Sequence, residues 1–160
     1  MSHREFLMQR RAAEFPAFQR VLAALPQDKW DYKPHERSPS TRDLAWTIAA
    51  ETKASCTVVD EGKLEWENVE PPGPGEILRL FEESYKALDE RIAKLNEAKW
   101  SRKVQMLMDG NVVLESPLGE FLWLIHFDAI HHRGQLSAYI RPMGGKVPSI
   151  YGPSGDDPGQ

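Results

Sequence analysis

The chain has 160 residues, 20 Lys plus Arg against 24 Asp plus Glu, and a net charge of −4. That is one ordinary domain, long enough to bury a core without cross-links, and its sole cysteine, Cys56, excludes an internal disulfide framework. The acidic balance argues against a protein that holds nucleic acid by neutralising phosphates, and no apolar run is long enough to cross a membrane.

The first predicted helix runs from about Arg4 to Leu25, with Phe6, Leu7, Phe15, Phe18, Val21 and Leu22 mostly at helical spacing. Pro16 is expected to kink or interrupt it. The polar connection Pro26–Pro39 carries Trp30 and Tyr32, which should pack it onto the body. A second helix starts after Ser40, where Ser40 and Asp43 form a capping box, and continues to about Asp60, ahead of Gly62. Pro71-Pro72-Gly73-Pro74-Gly75 is the strongest breaker and reads as an inter-helix loop. A third helix covers about Glu76 to Asn96, with Leu78, Phe81, Tyr85, Leu88, Ile92 and Leu95 in a heptad-like seam. Val104–Leu114 is β-like around Asp109-Gly110-Asn111, which predicts a short hairpin. The last helix is placed from Ser116 as N-cap, with Pro117 at its first position, to about Arg141. The tail 146–160 should attach through Val147, Ile150 and Tyr151 and end loosely. The fold class is therefore all-α: a single four-helix bundle domain over 1–160 with a β-like excursion before its last helix.

Chemistry concentrates on the last helix, which holds three of the five histidines. Its seam runs Phe121, Ile125, Asp128, His132, Gln135, Tyr139, and the three central positions are polar. Buried polar groups without partners cost roughly 1–3 kcal/mol each, so a cleft, a metal, a substrate or another helix must satisfy them. Asp128 and His132 lie one turn apart, the spacing at which two helical side chains share a divalent ion; the plain alternative is an Asp–His hydrogen bond. On the second helix, Leu44, Ile48, Glu51, Ser55 and Val58 form the inward stripe, and Glu51 is its carboxylate. Glu51, Asp128 and His132 make a mixed oxygen and nitrogen set suited to zinc, nickel, manganese or iron; the alternative is Glu51 half-exposed at the bundle edge. His131 falls beside the seam and reads as a surface or interface residue, and His126 as a satisfied histidine. Arg133 and Arg141 read as solvated charge, with a carboxylate- or phosphate-binding role as the sharper alternative. Cys56 has no base or positive environment evident in sequence and reads as packing.

His131-His132-Arg133-Gly134-Gln135-Leu136, followed by Tyr139-Ile140-Arg141-Pro142-Met143-Gly144-Gly145-Lys146-Val147-Pro148, resembles the last-helix signature of DinB-like (DNA-damage-inducible, YfiT-like) proteins. Asp31–Glu36 and Ser40–Trp46 resemble the entry to that family's second helix. The resemblance implies an up-down-down-up bundle, often a homodimer, with a metal between helices held by three histidines. Carried over, the last ligand is His132, the preceding position on that helix is Asp128, and the second-helix position is Thr47. One usual ligand is retained and two are changed, and Glu51, one turn after Thr47, is the local replacement.

Two function classes follow. One is a divalent-metal-dependent enzyme, a thiol S-transferase or hydrolase-like relative, with Gln135, Arg133 and Thr47 lining a small-molecule substrate site. The other is a non-catalytic ligand-binding or stress-response module that has lost the metal. Homodimerisation, implied by the resemblance, agrees with the apolar excess of Leu122, Trp123, Leu124 and Phe127. A cytoplasmic location is expected from the lack of an export signal.

Overall fold

The structure, a computed structural model, describes residues 1–159. Four long helices form the bundle: α1 (His3–Ala23), α2 (Thr41–Glu61), α3 (Pro74–Ala93) and α5 (Leu118–Ile140). A one-turn helix α4 (Glu97–Trp100) and strands β1 (Lys63–Glu65), β2 (Lys103–Met108) and β3 (Asn111–Pro117) complete the chain. α2 packs against α3 and α5, and α1 closes the bundle against the same two helices.

Local chemistry fixes most of the boundaries. Ser2 with Glu5 and Ser40 with Asp43 make reciprocal capping boxes that open α1 and α2. Gly62 ends α2 at φ 82°, the left-handed conformation a helix terminus of this kind requires. Asp109 and Gly110 both have positive φ and make the two-residue turn joining β2 to β3.

Several expectations are corrected. Pro16 does not interrupt α1, which is continuous across it. α3 ends at Ala93, and Asn96 instead caps the short α4. Ser116 does not cap the last helix: it pairs with Val104 in the sheet, and Pro117 stands at the cap with no side-chain hydrogen bond. The hairpin is joined by β1, which runs parallel to β2, with Leu64 opposite Met106. Lys63-Leu64-Glu65 is too short and too poor in β-branched residues to announce a strand. The tail is tied down rather than loose. Asp156 accepts from Arg141 Nε (2.8 Å) and from the Val147 amide (3.0 Å), and Asp157 accepts from the Ser149 amide (2.8 Å).

The core is two clusters stacked along the bundle. One is built around Phe18, Ile48, Phe81 and Leu136, the other around Leu7, Val58, Leu88 and Phe121. Between them lies a polar layer. Along α1 it falls on Arg11 and Glu14, along α2 on Thr52 and Ser55, and along α5 on His126, all buried. This layer sets the level at which the bundle's chemistry sits.

Candidate metal centre and the polar layer

Glu51, Asp128 and His132 come together. One ligand atom from each lies within 4.8 Å of the others, and all three side chains are half-buried. Glu51 reaches the point because α2's stripe of Leu44, Ile48, Ser55 and Val58 turns inward and carries it along. Asp128 and His132, one turn apart, follow from the pitch of α5.

His132 is held at both ring nitrogens. Gln135 Oε1 lies 2.8 Å from Nδ1 and accepts its N–H. With the N–H on Nδ1, the ring turns Nε2 toward Asp128 Oδ2 at 3.0 Å. A lone pair and a carboxylate oxygen at that distance require a proton or a cation between them. Glu51 makes the same demand. Its Oε2 is buried with no hydrogen-bond donor among the described residues. Burial first, then the charge of Asp128 and the hydrogen bond shared with it, push the Glu51 carboxyl up to about 8.

A divalent ion answers both demands, and the donor set fits one. Two carboxylates and an imidazole suit zinc, nickel, manganese or iron, and three protein ligands leave a position open for water or substrate. Thr47 is not part of the cluster: its Oγ1 donates to the Asp43 carbonyl (2.9 Å), one turn back along α2.

The inward phase of α5 differs from expectation. The predicted seam is buried at its ends, Phe121 and Tyr139, but Ile125, Asp128, His132 and Gln135 between them are only half-buried, and a second stripe of Leu118, Leu122, His126, Ala129, Arg133, Leu136 and Ile140 is buried throughout. α5 touches α1 on one side and α2 on the other, so it has two inward stripes, and the metal cluster lies on the shallower one. Arg133 is therefore not solvated charge. It is 2% exposed and bonds Glu14 Oε2 at 2.6 Å and Tyr151 Oη at 2.6 Å, away from the cluster. Tyr151 Oη in turn donates to Glu14 Oε2 (2.9 Å). Burial pushes the Glu14 carboxyl up, but hydrogen bonds from Arg133 and Tyr151 outweigh it and hold the group below the usual range. The i, i+7 spacing of Arg133 from His126 on an apolar stripe is the signal for this buried position.

His126 is not a satisfied histidine. It is 2% exposed, and neither ring nitrogen has a partner among the described residues. Burial first, then the positive charge of Arg11, lowers it to about 4, so the ring is neutral at pH 7. The folded value lies below the unfolded one, so protonation opposes folding as pH falls from about 6.5 to about 4. His126→Leu is expected to raise stability at pH 7 by roughly 1–2 kcal/mol and to flatten the acid limb of the stability profile. Urea unfolding between pH 4 and 7 measures both. His131 is exposed, and Cys56 packs as expected, its Sγ donating to the Thr52 and Ser84 carbonyls (both 3.7 Å) while burial pushes the thiol up.

The model of the DinB family matches residues 1–159, and the chain belongs to that family. A DinB-like protein from Bacillus cereus superposes with a TM-score of 0.73 at 18% identity, over 92% of this chain and 97% of that one. A DinB-like protein from Bacillus subtilis gives 0.65 at 20% identity, over 86% and 91%. A mutant of the mycothiol-dependent maleylpyruvate isomerase gives 0.65 at 18% identity, over 83% of this chain and 60% of that one. At these identities the shared property is the fold. Among curated proteins no match is found.

Proposed function

We propose that this DinB-family chain is a divalent-metal-dependent enzyme in which Glu51, Asp128 and His132 hold the ion. The convergence of these three side chains within 4.8 Å carries the reading. A bound ion would act as a Lewis acid, lowering the pKa of a thiol or water so that it attacks at neutral pH. Gln135 fixes the ring of His132 and so keeps Nε2 directed at the cluster. The similarity to a thiol-dependent isomerase supports a thiol as the activated group. In this reading Glu51 replaces the usual second-helix histidine, whose own position is Thr47, and Asp128 replaces the first histidine of the last helix.

The 3.0 Å contact of His132 with Asp128 favours a second reading, a ligand-binding module whose polar pair needs no ion. Metal analysis of untagged protein separates the two. The enzyme reading expects near-stoichiometric metal after loading with zinc, nickel or manganese, and its loss in His132→Ala. Absence of metal in the loaded wild type leaves the module.

We also propose a homodimer. Leu122 is core, but Leu124 and Phe127 on α5 are 49% and 58% exposed, and Phe6 on α1 is 41% exposed. Phe6 and Phe127 flank Trp123 at ring distances of 5.7 and 5.3 Å, a continuous aromatic surface. Phe127→Arg is expected to convert a dimer to a monomer in light scattering; a wild type already monomeric at high concentration removes the proposal. Among the described residues no helix is long and apolar enough to cross a membrane.

A further inference from the structure

Glu51 belongs to a second feature as well. It lines a cleft of about 270 Å³ whose other walls are apolar. One wall is the sheet. Met106 and Met108 alternate onto the same face of β2, Leu64 lies beside Met106 in register, and Trp66 continues that edge through its amide bond to the Leu107 carbonyl (2.8 Å). A second part of the lining is Phe121 and Ile125 on α5, and Ile125 precedes Asp128 by one turn. From α2 the lining takes Ala54, one turn beyond Glu51, a methyl where a larger side chain would take up space in the cleft.

The cleft therefore leads from solvent, along apolar walls, to Glu51, one of the two carboxylates of the cluster. Glu51 is the sole ionisable group among its described lining residues. A cavity of about 150 Å³ holds benzene, so this volume takes one ring with short substituents. Nothing in the walls would pair with a charged or strongly polar arm, and Met and Trp side chains adapt to aromatic faces.

We propose that this cleft is the specificity pocket of the site and that the substrate carries a neutral aryl or branched-alkyl arm, about one ring in size, on an oxygen or sulfur head that meets the cluster. The assignment rests on the metal reading above. Two probes separate the two ideas. In zinc-loaded protein, benzohydroxamate and acetohydroxamate share a metal-binding head and differ in the arm. The aryl probe should bind roughly 10- to 100-fold more tightly, as expected for burying a ring. Ala54→Phe, which fills the cleft, should bring the two within about threefold, with metal content and acetohydroxamate affinity retained. Equal affinities in the wild type overturn the pocket while leaving the metal site standing. The arm is also tested without metal. Toluene should saturably shift the methyl resonances of Met106 and Met108 in the chelated wild type but not in Ala54→Phe. If the protein takes up no zinc, these shifts alone decide the pocket, and their absence overturns it.

Discussion

Replacing Arg133 with alanine is expected to destabilise the protein by about 3–5 kcal/mol at pH 7, the range for stripping one partner from a buried ion pair. Glu14, 5% exposed in the wild type, would keep a hydrogen bond from Tyr151 and the more distant charge of Arg10 at 4.0 Å. The guanidinium also stands 4.7 Å from the Phe18 ring centre, so its loss opens a gap beside the core. Arg133→Lys should fall between wild type and alanine, because an ammonium keeps the charge without the fork that reaches both Glu14 and Tyr151. The double variant Arg133→Met, Glu14→Leu should recover most of the loss, since it removes both charges together. Tyr151→Phe should cost about 1 kcal/mol, the worth of an ordinary hydrogen bond. The pH dependence carries a sign. Glu14 is held below its ordinary value when folded, so its contribution is full above the unfolded value and lost as pH falls through the folded one. In Arg133→Ala the share of that stabilisation due to Arg133 is gone and only the Tyr151 hydrogen bond remains, so the deficit against wild type should narrow as pH falls toward and below about 4.5. Urea unfolding at pH 7 and pH 4 checks each of these.

That network shows where reading the sequence stops. Signals confined to a few residues were legible: the Ser40–Asp43 capping box, Gly62 after α2 and the Asp109-Gly110 turn each specify backbone by themselves. So was the cluster's membership, because a carboxylate on an apolar stripe and an Asp–His pair one turn apart mark inward-facing chemistry whatever the partner helix. The depth of each stripe on α5 was not legible. A helix touching neighbours on two sides carries apolar residues around most of its circumference, and periodicity then admits two phases. The Arg133–Glu14 pair spans 119 positions and appears only when α1 lies against α5. β1 was hidden for a similar reason: three residues pair because β2 lies beside them. The same non-local element supplies Leu64, and so part of the apolar cleft.

Glu51→Gln is expected to stabilise the metal-free protein while removing its response to metal, and the two effects have one cause. The carboxyl of Glu51, raised to about 8 when folded, makes its full contribution below the unfolded value near 4.5. That contribution is lost as pH rises through about 8, because the folded state must then carry two facing carboxylates. In a chelating buffer, wild-type stability should therefore fall between about pH 5 and pH 9, by up to 1.4 kcal/mol per unit. The glutamine variant should lack that component and exceed wild type by a few kcal/mol at the alkaline end. Added zinc should reverse the ranking. Metal binding competes with the proton on Glu51, so its stabilisation of wild type grows with pH over the range where the empty site is least stable. Glu51→Gln lacks the second carboxylate and should gain little from metal at any pH. A wild-type profile unmoved by both chelator and zinc would mean that the facing carboxylates are relieved by shared protonation alone. The cluster would then be a strained polar pair serving the cleft beside it, and the crossing of the two stability curves is the measurement that decides between them.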